Sequence, residues 1–483
     1  MNVDRFKSIR FGDSSAESER SNNPKLLLEG FLDTYGYIDE VTSSQKFLIY
    51  GQKGAGKSAI CSRIELISEK NRYNVKTYTL QRFNYQNFEA MDSHKEAPEI
   101  RAVRSWETTL HIALLELFSK DEGLKSNSKT NMVNKVINGL KEINILPAGD
   151  LVSIVKKASK SELKINAKIA EYAKETNVEF YTNMYDNLRL AVHDAKLSKK
   201  SIILIDGLDS IMTDRENQKR TLSALFSAIS QINQELKNYG IDAKVAVFCR
   251  TDILDTLNGP DLQKIIDDYS IELDWYPEGA LNEDINLIKL LNLRAELSLG
   301  CKVNIFEEFF STHIGEKKTF KFVLDYTRYI PRDLIRLMNE IQKKYKYKMD
   351  AIDFFRAINE YSAKYLYGEL KNELYGIISE EDIENMFKLL SAMGTYRTSK
   401  VKLDSKSKEL KITIDLNRVL PLLFNIGVIG NVRVTDAGDR YSFKFRERHS
   451  DFNPYDEIVV HLALQNMLKI RGGYTDAKYF EYD

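Results

Sequence analysis

The chain is poor in cysteine and histidine and has no excess of either charge. Its three cysteines, Cys61, Cys249 and Cys301, are too few and too scattered for a disulfide framework, and no pair has zinc-ligand spacing. Reduced thiols in a cytoplasmic protein are the expectation. Six scattered histidines speak against a metal cluster. Lysine plus arginine equals aspartate plus glutamate at 70 each, so no global field draws the chain to nucleic acid or membrane, and only a local patch can. No apolar run is long enough to span a bilayer. The opening Met1-Asn2-Val3-Asp4-Arg5-Phe6-Lys7 has no apolar core, so a secretory leader is not expected. What remains is 483 residues, 43% hydrophobic and 29% charged, the profile of a soluble globular chain with room for two to four domains.

Against that plain background one stretch stands out. The apolar run Phe47-Leu48-Ile49-Tyr50 leads into Gly51-Gln52-Lys53-Gly54-Ala55-Gly56-Lys57-Ser58, and helical spacing follows in Ala59, Ile60, Ile64, Leu66 and Ile67. Strand, glycine-rich loop and helix around G-x-x-x-x-G-K-S make a P-loop. Phosphate oxygens need several N–H donors converging from one side. Gly51, Gly54 and Gly56 allow the backbone angles that turn those amides inward. The helix beginning near Lys57 adds the positive end of its dipole. Lys57 is suited to the β- and γ-phosphates, and the Ser58 hydroxyl to Mg²⁺.

Four more strands are expected. Val75 to Leu80 alternates in β-type residues. Ile202-Ile203-Leu204-Ile205 is continuously apolar, as in a strand covered on both faces of a parallel sheet, and it ends in Asp206-Gly207-Leu208-Asp209. An acid at that carboxyl end lies where open α/β sheets bind ligands, and Asp206 is the expected second Mg²⁺ group. Val245 to Cys249 ends in Arg250-Thr251-Asp252. If this strand lies between the P-loop strand and the Asp206 strand, Arg250 is placed to distinguish triphosphate from diphosphate; the alternative is an ion pair. Ser270 to Trp275 completes a five-stranded parallel sheet. Residues 98–200 read as a large helical insertion suited to partner contacts, with amphipathic segments at 106–118, 132–145 and 165–195. Leu26, Leu27, Leu28, Phe31 and Leu32 read as a helix face. Tyr35, Tyr37 and Ile38 either flank an adenine or belong to the core.

Residues 278–365 are helical in pattern, with Pro331 suited to a helix first turn and Arg332 just behind it. Farther on, helices at 382–393 and 416–426 precede two strands, Val432 to Val434 and Arg440 to Phe445, a layout that suggests a winged helix. Residues 458–464 are expected to open a last helix. The fold expected is therefore α/β: a P-loop core at 1–277 with its insertion, a helical lid at 278–365, and a winged-helix domain with tail at 366–483. Within the last, Arg440, Ser442, Lys444 and Arg446 are expected on one strand face, with Arg433 and Arg448 extending it. That face is a candidate for DNA phosphates or simply a solvated surface.

The order P-loop, Asp206, Arg250, Pro331-Arg332, winged helix resembles the AAA+ and STAND branches of P-loop NTPases. The layout is similar to origin-recognition initiator ATPases, and Asp206-Gly207-Leu208-Asp209 is similar to NACHT-type switches. Phe11-Gly12 with Ala16-Glu17, Pro331-Arg332-Asp333-Leu334-Ile335 and Val459-Val460-His461 resemble a family of bacterial P-loop ATPases, many linked to phage defence. The resemblance implies ATP and Mg²⁺ as cofactors. It assigns Lys57 and Ser58 to Walker A, Asp206 to Walker B, Arg250 to sensor 1 and Arg332 to sensor 2. It further implies a homo-oligomer and a separate effector protein. One departure matters: Gly207 stands where AAA+ enzymes carry the glutamate that orients water, with Asp209 as a NACHT-like substitute, so slow turnover is expected. Residues 261–269 offer only Lys264 as a finger, leaving Arg215 or Arg220. The function expected is an ATP-gated switch, with a DNA-binding initiator-like ATPase as the alternative and a small-molecule kinase as a distant third.

Overall fold

The computed structural model describes residues 2–70, 73–80, 98–126, 132–158, 184–208, 215–259, 261–276, 285–347, 349–375, 377–436 and 438–470. Asp209 and the tail beyond residue 470 lie outside them. The chain divides into two compact units, residues 33–273 and residues 1–32 with 274–483.

The first unit is built on a parallel sheet of five strands: β1 Leu48–Gly51, β2 Tyr73–Thr79, β3 Lys200–Asp206, β4 Ala243–Arg250 and β5 Ser270–Leu273. Their order is β2-β3-β4-β1-β5. Ser201 to Ile205 and Lys244 to Arg250 are buried without a break, so helices cover both faces at the centre. The helix Pro98–Phe118 opens the stretch read as an insertion, yet it is part of the sheet's own core. Trp106 is fully buried and its indole donates to the Thr221 carbonyl on the helix Arg215–Asn238 at 2.8 Å. At the strands' amino ends, buried Lys244 donates to the carbonyls of Glu40 and Ser44, closing the C-terminal end of the helix Tyr37–Ser43. Burial pushes that amine down to about 7, with Lys200 acting in the same direction.

The second unit joins the N-terminal 32 residues to the C-terminal half, so those residues are separate from the P-loop core in which the sequence reading put them. The reason is aromatic burial and one ion pair. Phe6 packs on Tyr345, Phe309 and Phe310 with ring centroids 4.1, 5.1 and 5.2 Å away. Arg294 on the helix Asn286–Leu299 forms a two-pronged pair with Glu19 at 2.8 and 2.9 Å, both side chains buried, and also donates to the Phe11 carbonyl. Gly12 permits this approach: its φ is +131°, and a Cβ there would collide with the Arg294 guanidinium and the Glu19 carboxylate.

Farther on, the short ribbon β6 His313–Ile314 and β7 Lys317–Lys318 precedes the helix Pro331–Lys344, with Pro331 in its first turn. The helix Glu380–Met393, β8 Arg397–Thr398, the helices Lys400–Glu409 and Leu416–Asn425, and β9 Ile429–Thr435, β10 Gly438–Ser442 and β11 Glu457–Val460 complete the unit. The last four strands form an antiparallel sheet ordered β10-β9-β11-β8. Residues 457–460 are thus a strand where a helix was expected. Ile458-Val459-Val460 is β-branched throughout and fills the gap between β9 and β8. A short helix, Leu462–Gln465, begins only after it.

Candidate nucleotide site

The site forms where β1, β4 and β3 end side by side. Gly51 closes β1 against Leu273 of β5; a Cβ at Gly51 would stand 3.0 Å from the Leu273 Cβ and 3.1 Å from its carbonyl oxygen. The chain then turns through Gln52, Lys53, Gly54 and Ala55, with the Ala55 amide donating back to the Gln52 carbonyl at 3.1 Å. Gly54 and Gly56 have φ of +88° and +106°, the left-handed region where a side chain is strained. Gly56 caps the helix Lys57–Ser68 with no side-chain acceptor, which leaves the first-turn amides to the loop. The buried Lys57 ammonium donates to the carbonyls of Gly51 at 2.8 Å and Gln52 at 3.0 Å.

Asp206 ends β3, separated from β1 by β4. It nevertheless meets the loop: the Ser58 hydroxyl donates to Asp206 Oδ2 at 2.8 Å, and the Gly207 amide donates to Oδ1 at 2.7 Å. Gly207 has φ of +78°. The position that lacks a catalytic glutamate therefore also has a backbone angle glycine tolerates best. A hydroxyl and a carboxylate in hydrogen-bond contact at the start of a P-loop helix are the hard oxygen donors that Mg²⁺ takes, usually together with waters and phosphate oxygens.

β4 does lie between the P-loop strand and the Asp206 strand, and in its register Arg250 stands opposite Gly51. Its guanidinium makes a forked pair with Asp252, at 2.9 and 2.5 Å. Burial works against the Asp252 charge, but Arg250, and after it Lys57, hold that carboxyl below its usual range. Asp252 was not singled out from the sequence. The only signal was an acid two residues after a basic strand end.

The remaining candidates are placed as follows. Arg332, in the other unit, pairs with Glu369 at 3.0 Å. Arg220 donates to Asn217 at 2.8 Å. Tyr37 and Ile38 are buried, as the core reading had it, while Tyr35 is 64% exposed and edges against Tyr37. Asp33 accepts from the Tyr37 amide at 2.5 Å and so starts that helix.

The basic face expected near the C-terminus is not a single face. β10 stops at Ser442, so the alternation that grouped Lys444 and Arg446 with Arg440 ends there. Arg446 is buried among Tyr329, Phe443 and Phe445 and pairs with Asp325 at 3.4 Å. Lys444 is mostly covered and donates to the Ser450 carbonyl. Arg448 pairs with Asp274. Arg440 and Arg433 remain outside, opposite one another on the β9–β10 hairpin, with 67% and 65% of their side chains exposed.

Residues 123–271 match the family model described as ATPase family associated with various cellular activities, AAA. That match covers less than a third of the chain and begins after the glycine loop at Gly51 to Ser58. Residues 285–367 match the FunZ-associated C-terminal helical domain. The transposon gamma-delta 80.3 kDa protein of Escherichia coli (strain K12) is 22% identical over 485 residues, covering 94% of this chain and 66% of that protein. This chain thus spans just under two thirds of that relative's length. Among solved structures, the Aeropyrum pernix Orc1 protein in complex with DNA is 13% identical with a TM-score of 0.40, covering 92% of this chain and 94% of that one. A Walker-type ATPase of Pyrococcus abyssi is 12% identical with a TM-score of 0.37, covering 86% and 95%. Cdc6p of Pyrobaculum aerophilum is 12% identical with a TM-score of 0.32, covering 95% and 97%. Among the described residues, no helix is long and apolar enough to cross a membrane.

Proposed function

We propose that the chain binds ATP with Mg²⁺ at Gly51 to Ser58 and hydrolyses it slowly, serving as a switch that governs oligomerisation or a partner effector. The observation that carries this reading is the 2.8 Å bond between Ser58 and Asp206 beside a loop whose glycines hold left-handed angles. Those two side chains would hold Mg²⁺, which when bound neutralises phosphate charge. The amides of Gly54 to Ser58 and the Lys57 ammonium supply donors for the phosphates. Arg250 acts from β4 as the terminal-phosphate sensor; a sensor role for Arg332 rests on the resemblance alone. Slow turnover follows from Gly207, which has no side chain to orient water; Asp209 is the carboxylate we assign to that task. Service in phage defence rests on the resemblance to bacterial P-loop ATPases alone.

The test is mass measurement in solution without nucleotide, with ADP and with a non-hydrolysable ATP analogue, each with and without DNA. A change of mass with the analogue and not with ADP supports the switch. The same mass in every condition argues against nucleotide-governed assembly.

A second reading, a DNA-contacting winged helix, draws on the order helix, strand, two helices and hairpin in 380–460 and on exposed Arg433 and Arg440 at the hairpin. DNA binding that weakens steeply with salt and is lost when both are changed to Glu supports it. No binding at low salt removes it.

A further inference from the structure

Arg250 is fixed at the strand end beside the P-loop, yet one edge of its guanidinium is already committed. Nε donates to Asp252 Oδ1 and Nη2 to Oδ2, so both carboxylate oxygens face the same fork. The arginine is 6% exposed, whereas 28% of the Asp252 side chain is open to solvent. The carboxylate is thus the member of the pair nearer solvent, while Arg250 ends β4 in register with Gly51. Asp252 also lies within electrostatic reach of Lys57, which places its charge at the mouth of the phosphate loop.

Two anions then contend for one fork. A forked arginine–carboxylate pair has the same geometry as an arginine–phosphate pair, so the contest is direct. The terminal phosphoryl group of a nucleoside triphosphate brings three oxygens and about two negative charges. A diphosphate lacks that group. We propose that Asp252 is a specificity-determining residue: it restrains Arg250, and only the terminal phosphoryl of a triphosphate displaces it. This rests on the reading of the P-loop as a nucleotide site. Displacement also frees the Asp252 carboxylate, charged and beside the loop, to signal through the short helix Thr251–Leu254 that begins at Arg250.

The consequence runs against the usual effect of removing a charged partner. Asp252→Asn keeps the size of the side chain and one acceptor but gives up the charge that competes. The full chain is titrated with fluorescent ADP and with a fluorescent, non-hydrolysable ATP analogue. Asp252→Asn is expected to tighten the ATP analogue by about tenfold, the equivalent of about one charge-assisted hydrogen bond no longer lost, while ADP moves by less than about twofold. In an Arg250→Ala background the same change is expected to do nothing, because the contest has no object. Arg250→Lys, which keeps charge but not the fork, is expected to lose triphosphate preference. Thermal melting of each variant shows that the fold is kept.

Equal tightening for both nucleotides, or tightening that survives in the Arg250→Ala background, overturns the proposal, since either makes Asp252 a simple repulsive charge. Unchanged affinities overturn it as well. Failure of the unaltered protein to bind either nucleotide defeats the nucleotide reading itself, and the proposal with it.

Discussion

Ser58 and Asp206 are 148 residues apart in the chain and 2.8 Å apart in the fold. One comes from the first turn of the P-loop helix and the other from a strand that is not even adjacent to the P-loop strand. Asp206→Asn is expected to keep nucleotide binding but to lower Mg²⁺-dependent phosphate release on the order of 10²-fold. Lys57→Ala, which removes a charge from the loop, is expected to weaken nucleotide binding by about 10- to 100-fold. Titration of both variants with and without Mg²⁺ checks the two outcomes; wild-type turnover in Asp206→Asn removes that residue from its role.

The Glu19–Arg294 pair predicts a stability effect far from any phosphate. Both side chains are buried, so deleting one strands the other. Glu19→Ala is expected to cost about 3 to 5 kcal/mol in the unit that contains it. Gly12→Ala is expected to be of similar severity, because it adds an unfavourable backbone angle to a collision with the same pair. Denaturant melts followed by the fluorescence of Trp275, half-buried against that unit's core, report it.

His461 predicts a pH dependence. It is buried, its Nδ1 accepts from the Ala463 amide at 3.2 Å, and its Nε2 faces the Thr327 carbonyl at 3.3 Å. Burial first, with a further push from Arg446 and Arg328, lowers its pKa from 6.5 to about 4. The unfolded chain therefore takes up a proton between about pH 6.5 and 4 that the folded chain refuses. The stabilising contribution is complete above pH 6.5 and is lost as pH falls through about 4, amounting to roughly 3 kcal/mol at most. His461→Gln is expected to flatten the melting curve over that interval, whatever its effect at neutral pH. An unaltered slope assigns the dependence to other groups.

Arg446 and Arg440 are expected to behave as opposites. Arg446→Ala empties a buried position against three aromatic rings and leaves Asp325 short of a partner, for a loss of about 2 to 4 kcal/mol. Arg440→Ala gives up an exposed pair with Glu447 and is expected to change stability by under about 0.5 kcal/mol. Paired thermal melts decide this. Equal losses contradict the burial difference.

The strand, glycine loop and helix around Gly51 to Ser58 were legible because every requirement on them is local. Glycines at 51, 54 and 56, a lysine and a hydroxyl at fixed spacing follow from short-range geometry, as does the apolar run of β3, which needs no alternation when both faces are covered. The C-terminal basic face was not legible, because alternation holds only while a strand continues. The chain leaves β10 at Ser442, and nothing in the residues from Phe443 to Arg446 announces it. Asp252 escaped notice for a related reason: its meaning depends on where Arg250 points, and a pattern of letters carries no direction.

The sequence alone determined the glycine loop after β1, the continuous apolar strands and the positions of the acid and the arginine at their ends, since each depends on neighbours a few residues away. Tertiary structure decided which strands lie side by side, that the N-terminal 32 residues join the C-terminal unit, and which charges are buried in pairs. Those outcomes rest on contacts across a hundred residues or more, where only burial and charge pairing in three dimensions select among sequences that read alike.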